Sequence, residues 1–265
     1  LEGLRWPTSY GTMLVLGLLL AGWLTRQRVA AAGGDVSHVD FALPLALLVG
    51  ALGTKLMSVL FFDRLLLLSL PLFVTPTLVA YCRVAGLSAA RFLDFLAPPM
   101  LLWVAVLRVG CFLAGCCWGD VTIGHDELTE SVRAQIDTLP AVNRSLEFLA
   151  VQFPSGSFAA GQHASLGLID GGPSLPVLPI QLIESTAAVL LYAGALRVER
   201  SLRTPGSLAW WCLGSYALTR FGIEFLRADN LIVWNGLTGN QLVCLGLIGA
   251  AFMMCVLRAG VTAQR

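Results

Sequence analysis

The sequence predicts an all-α fold: a polytopic membrane helical bundle of about seven transmembrane helices, with the N-terminus outside and the C-terminus cytoplasmic. Three observations predict it. Only 12% of the 265 residues are charged and 57% are hydrophobic, and mean hydropathy is +0.78, whereas soluble domains carry about 25% charged residues. Seven apolar runs approach the length of about 20 residues that crosses a bilayer. Arginine also concentrates in alternate loops, which sets an orientation. A net charge of +1 advertises no nucleic-acid surface, and that class is discarded.

In chain order, the first run, Tyr10–Leu24, could pass for a signal peptide ending at Ala30-Ala31-Ala32. Arg26 and Arg28 intervene, on the wrong flank for a signal, so it is read as a membrane helix. Phe41–Phe62, Arg64–Cys82 and Phe92–Gly115 follow, the last expected to break near Pro98. Ile180–Leu196, Ser207–Phe225 and Asn240–Leu257 complete the set. One group of loops holds Arg26, Arg28, Arg83, Arg91, Arg197, Arg200, Arg203, Arg258 and Arg265. The opposite group holds Arg5, Arg64 and Arg227, apart from the long connection. The richer set reads as cytoplasmic. Residues 1–265 therefore form one membrane domain, with residues 119–179 an extracytoplasmic loop insertion that includes a short helix at Glu127–Thr138.

That orientation brings Lys55, Arg108, Glu184, Arg220 and Glu224 to one depth in the outer half of the membrane. A charge in hydrocarbon costs about 2.5–3.5 kcal/mol on insertion scales, so such residues mark a cavity with a purpose. Tyr10 and Gln181 stand at the same level. Arg220, Glu224 and Arg227 recur at i, i+4 and i+7, hence on one helix face, with Glu224 able to pair with either arginine. Several guanidinium forks around a cavity favour a phosphate or carboxylate. At the outer leaflet that ligand is an anionic phospholipid headgroup.

The run Arg108-Val-Gly-Cys-Phe-Leu-Ala-Gly-Cys-Cys-Trp-Gly119 is the most unusual stretch. Cys111, Cys116 and Cys117 are open to several readings: a disulfide, a reactive thiolate near Arg108, or inert packing. Metal binding is disfavoured, because no CxxC pair or nearby histidine completes a zinc set. A redox pair at Cys116 and Cys117 is weak, since adjacent cysteines make a strained ring. Cys82, Cys212, Cys244 and Cys255 sit singly in apolar runs and read as small core residues. Of His38, His125 and His163, none lies inside a span, and His163 reads as a solvated loop residue.

These residues resemble the bacterial prolipoprotein diacylglyceryl transferase family. The likeness runs through Tyr10-Gly11, Leu-Gly-Thr-Lys55, the Arg108–Gly119 signature, Pro179-Ile-Gln181-Leu-Ile-Glu184, Arg220-Phe-Gly-Ile-Glu224-Phe-Leu-Arg227-Ala-Asp229 and Thr238-Gly-Asn-Gln241. It implies seven helices in a bacterial plasma (inner) membrane, multi-pass. It also implies transfer of a diacylglyceryl group from phosphatidylglycerol to the lipobox cysteine thiol of a preprolipoprotein, releasing glycerol phosphate. Arg108 and Arg220 would hold the lipid phosphate, Glu224 would orient Arg220 or meet the headgroup, and Glu184, Glu224 or a Cys116 thiolate would have to serve as the base. Tyr10, Lys55, Cys111, Gln181, Glu184 and Arg227 would line the substrate site. No metal or organic cofactor is implied, and the partners are phosphatidylglycerol, the lipobox segment and membrane lipids. The commoner signature carries Asn at Cys111 and Glu at Cys116. The family's histidine between the second and fourth helices has no counterpart in Arg64–Cys82. Leu178 replaces another, and Asp120 an arginine. The phosphate-binding half is kept and the proton-transfer half altered, so a divergent, Cys-rich branch is expected. The alternative is a non-catalytic phospholipid-binding paralogue that kept the anionic-lipid cavity.

Overall fold

The computed structural model describes residues 5–61, 66–122, 148–202, 204–227 and 232–263, with side chains described outside 5–8, 57–72, 232 and 258–263. The expected helix at Glu127–Thr138, together with His125, Arg64, Arg203, Asp229 and Arg265, lies outside the described residues, as do the side chains of Arg5 and Arg258.

The helices are α1 (Arg5–Ala31), α2 (Ser37–Phe61), α3 (Leu66–Val84), α4 (Ala89–Ala114), the short α5 (Phe158–Ser165), α6 (Ile180–Val198), α7 (Ser207–Ile223) and α8 (Gly239–Ala263). A 3₁₀ turn, Glu224–Leu226, ends α7, and a small hairpin of β1 (Ile232–Trp234) and β2 (Leu237–Thr238) leads into α8. Four segments are long and apolar enough to cross a membrane: Ser9–Ala31, Ser37–Leu56, Ala89–Ala114 and Gly239–Leu257. The other three expected spans also fold as helices, but α7 has only 17 residues and α6 carries Glu184 and Arg197.

Helix α4 is the axis of the bundle, packed against α1, α6 and α7, while α2 pairs with α3 and α7 with α8. Two buried clusters hold it. Val29, Val39, Ala42, Leu78, Phe92 and Leu96 join α1 to α4, and Leu101, Ala195, Leu208 and Cys212 join α4, α6 and α7. Around the outside, Leu19, Leu190, Leu218 and Phe252 are more than half exposed. Such an apolar girdle is a liability in water and the normal condition in lipid.

Helix α4 does not break at Pro98. It runs unbroken from Ala89 to Ala114 with Pro98 and Pro99 buried inside it. Each proline lacks an N–H, which strips the carbonyl four residues earlier of its helical partner. Those carbonyls belong to Asp94 and Phe95, and Arg28 serves both: Nε donates to Phe95 O at 3.1 Å and Nη2 to Asp94 O at 3.4 Å. The same guanidinium grips Glu199 at 2.6 and 3.2 Å. A neighbouring helix thus satisfies the freed backbone. Asp94 in turn accepts the backbone N–H groups of Gly206 and Ala209 at the start of α7.

The inserted loop is no loose strand in its described parts. Trp118, Val121, Phe153, Ala159, Leu168 and Val177 form a small core of their own. Val177 bridges both Val121 and Val151, and Ser157 caps α5 by accepting the Ala160 N–H. Cys82, Cys212 and Cys244 are buried as expected, but Cys255 is exposed, because α8 turns it away from its packed face.

Candidate active site

Opposite the Arg28 end, the last turn of α4, the first turn of α6, the end of α7 and the start of α8 converge. Glu184, 1% exposed, is their hub. Its Oε2 lies 3.0 Å from Arg108 Nε and 3.4 Å from Arg220 Nη1, and its Oε1 accepts the Tyr216 hydroxyl at 2.8 Å. The Arg108 approach is a pairing of charges, since its N–H is not aimed at an acceptor. Glu224 holds Arg220 from the other side, with Oε2 2.8 Å from Nη2. Its Oε1 accepts Thr238 Oγ1 at 3.1 Å and Asn240 Nδ2 at 2.9 Å. A lone buried carboxylate would be prohibitive; two carboxylates alternating with two arginines are sustainable.

Glu184 is fully committed, Glu224 Oε2 meets Arg220 only as an ion pair without an aligned hydrogen bond, and the arginines keep donors of their own. A guanidinium has five N–H donors, and among the described residues neither Nη group of Arg108 has a partner. The two side chains keep 16% and 12% exposure, so donors remain to be offered to an anion from outside.

The Arg108–Gly119 signature supplies the wall. Gly110 lets α1 approach, since a Cβ there would sit 2.8 Å from Met13 Cβ. Gly115, at φ +64°, closes α4 with a left-handed cap. Cys117 is also left-handed, at φ +58°, which costs energy for any side chain but glycine. This double reversal, with Cys116 N–H on Cys111 O at 3.1 Å, brings the sulfurs of Cys111, Cys116 and Cys117 within 4.8 Å of one another. Gln181 pins the turn by donating from Nε2 to Cys116 O at 2.7 Å. Gly119 then threads a gap that no other residue fits, where a Cβ would meet Leu226 O at 2.8 Å and Ile180 at 2.5 Å.

Of the residues singled out in the sequence, Arg108, Glu184, Arg220 and Glu224 meet directly. Tyr10, 37% exposed, has the three thiols and Arg108 as its electrostatic neighbours. Gln181 is buried and serves the turn. Lys55 is exposed on α2, and no described polar contact joins it to the cluster. Arg227 does not share a helical face with Arg220, because α7 gives way to a 3₁₀ turn at Glu224. Arg227 is extended, its backbone bridged to Gly119, and its charge faces Cys117.

Five contributors had no role assigned from the sequence. Tyr216 lies one turn before Arg220, a spacing that could have revealed it. Thr238 and Asn240 belong to the Thr238–Gln241 motif, but no spacing tied them to Glu224. Asp120 is 2% exposed, and burial pushes its carboxyl up to about 6. His163 is not solvated but fully buried, edge-on to Trp118 with ring centroids 4.7 Å apart. Its Nδ1 accepts the Leu175 N–H at 3.1 Å, and burial lowers its pKa to about 4, so it is neutral with the proton on Nε2.

Comparison with known proteins points to one family. The prolipoprotein diacylglyceryl transferase family model matches residues 4–257. The phosphatidylglycerol–prolipoprotein diacylglyceryl transferase of Nitratidesulfovibrio vulgaris (strain Miyazaki F) is 26% identical, covering 97% of this chain and 90% of its own. That of Dehalococcoides mccartyi is 27% identical over 94% and 88%, and that of Clostridium tetani 27% over 83% and 81%.

Proposed function

The chain belongs to the prolipoprotein diacylglyceryl transferase family, and on that premise we propose that it transfers a diacylglyceryl group from phosphatidylglycerol to the lipobox cysteine thiol of a preprolipoprotein. The observation that carries this reading is the pair of guanidiniums, from α4 and α7, held side by side on Glu184 with donors to spare. Arg108 and Arg220 clamp the phosphate and stabilise the charge that develops on it as the carbon–oxygen ester bond breaks. Glu184 spaces the two arginines, and Glu224, held by Thr238 and Asn240, orients Arg220. Tyr10 lines the approach to the thiols. Fixed donors of this kind act without reorganising at the moment of reaction.

The fold is a seven-span, multi-pass bundle in the bacterial inner membrane, N-terminus outside, with residues 119–179 on the outer face. The arginine bias between loops supports this, as does the alternation of helix ends that gathers the Glu184 cluster at one pole and Arg28 at the other. The whole chain is one membrane domain.

Mass spectrometry of the products tests the function. Purified protein, phosphatidylglycerol and a lipobox peptide should yield a peptide heavier by one diacylglyceryl group, joined as a thioether, together with free glycerol phosphate. Folded protein that produces neither refutes the proposal. One observation favours a non-catalytic lipid-binding paralogue instead: Glu184 and Glu224 are each engaged with arginine and a hydroxyl donor, so neither carboxylate stands free of the clamp to serve as a dedicated base. Phosphatidylglycerol binding without turnover in that assay would establish it.

A further inference from the structure

Both carboxylates are already paired with arginines, and the three cysteines offer the acceptor thiol's proton another route. Along the chain, Cys111, Cys116 and Cys117 lack the spacing of a zinc set. The fold achieves by a double left-handed turn what the spacing does not: sulfurs at positions 111, 116 and 117 within 4.8 Å of one another. A tetrahedral zinc site with Zn–S bonds of about 2.3 Å places sulfurs about 3.8 Å apart, so closure requires a shift of about an ångström at most. Cys111 is buried while Cys116 and Cys117 are partly open, which leaves one side of the triangle accessible. Cationic Arg108 and Arg227 both face Cys117. Cys117 bears a positive φ, and strain of that kind gathers at functional sites.

We propose that Cys111, Cys116 and Cys117 form a three-thiolate Zn(II) site whose open fourth position binds and activates the acceptor cysteine. The assignment deepens the transferase reading and rests on it. On coordination, the acceptor S–H gives up its proton. The zinc-bound sulfur then attacks the glyceryl carbon bonded to the phosphate ester oxygen. A C–S bond forms, the C–O bond breaks, and its electron pair leaves with the oxygen as glycerol phosphate, which recovers the released proton. Nothing is oxidised or reduced. Arg108, an electrostatic neighbour of Cys111 and Cys117, puts the clamped phosphate next to the activated sulfur. A thiol that coordinates zinc is deprotonated outright, so no separate base is needed.

Cobalt(II) is the probe. The full chain, reduced and embedded in phosphatidylcholine nanodiscs, is loaded with Co(II) and freed of excess by gel filtration. The expected result is about one Co(II) per chain in a four-coordinate thiolate-rich site, with an intense sulfur-to-cobalt charge-transfer band. A lipobox peptide should strengthen that band, and the same peptide with serine for cysteine should not. Cys116→Ser and Cys117→Ser should each weaken Co(II) retention by at least about tenfold, with exposed Cys255→Ser as the unaffected control. Cys111→Asn combined with Cys116→Glu, which restores the commoner signature, should stay folded and lose the band. Reduced wild-type protein that retains neither Co(II) nor Zn(II), retention that survives these substitutions, or a spectrum indifferent to the peptide thiol overturns the assignment. The two readings fail separately. Metal binding without any transfer by the wild-type protein breaks the transferase reading, whereas full transfer by chelator-stripped protein breaks the zinc site alone. Arg108→Ala should abolish transfer and leave the cobalt spectrum intact.

Discussion

The two poles of the bundle both bury arginine, and to opposite ends. At the Arg28 pole each group finds a partner of its own kind: the guanidinium meets two carbonyls orphaned by Pro98 and Pro99 and one carboxylate, and Asp94 caps α7. At the Glu184 pole two arginines crowd one carboxylate, three thiols face one another without forming a bond, and polar atoms are left over. Among the described residues, the buried side-chain atoms lacking a hydrogen-bond partner include Arg108 Nε, Gln181 Oε1, Glu224 Oε2 and Gln241 Nε2, all of this pole. A satisfied network is there to hold helices together; a network with donors unspent is there to receive something.

The largest effect that would sharpen this contrast is on stability. Glu184→Gln strands Arg108, leaves Arg220 to Glu224 alone, and should lower unfolding stability by about 3–5 kcal/mol. Glu199→Gln, whose side chain is 40% exposed, should cost about 1 kcal/mol or less. Thermal unfolding in detergent reads both, and equal losses would erase the difference between the poles.

Next comes rate. Arg220→Ala should lower diacylglyceryl transfer by about 10²–10³-fold while the protein stays folded. Arg28→Ala should do the converse, with transfer kept and stability down by about 1–3 kcal/mol, as the Asp94 and Phe95 carbonyls go unserved. Transfer that survives Arg220→Ala would dissolve the phosphate clamp.

The smallest effect concerns the loop over the Glu184 pole. His163 has its pKa lowered to about 4 by burial, below the free value of about 6.5. Between those values the unfolded loop takes up a proton that the folded loop refuses, so loop stability is full above pH 6.5 and falls as pH drops toward 4. Hydrogen-exchange protection at Ala159–Leu168, taken relative to the intrinsic rate at each pH, should fall across that window, and His163→Gln should flatten the dependence. Protection indifferent to pH in the wild-type protein would remove His163 from the loop's support.

Much of this molecule is written in one dimension. Apolar runs give the helices, because a segment in lipid must satisfy its own backbone and can do so alone. The charges stood out for the same reason: a run of Leu and Val makes Arg108 or Glu184 conspicuous wherever the helix turns. Periodicity within one helix correctly linked Arg220 to Glu224, and it failed for Arg227 because it assumed that the helix continued. It failed too at Pro98, where the sequence shows the lost N–H but not the arginine that replaces it. Lys55, grouped with these charges by depth, is exposed on its helix and has no described polar contact with them.

Only the tertiary structure decided that Glu184 is the hub, that Thr238 and Asn240 hold Glu224, that His163 is buried, and that three thiols share one corner. Those facts depend on how far each helix is rotated and slid against α4. Rotation and slide are fixed by packing at Gly110, Gly119 and the core between α4, α6 and α7. Composition and periodicity specify what a helix presents along its own axis; which neighbour receives it is a property of the packed whole.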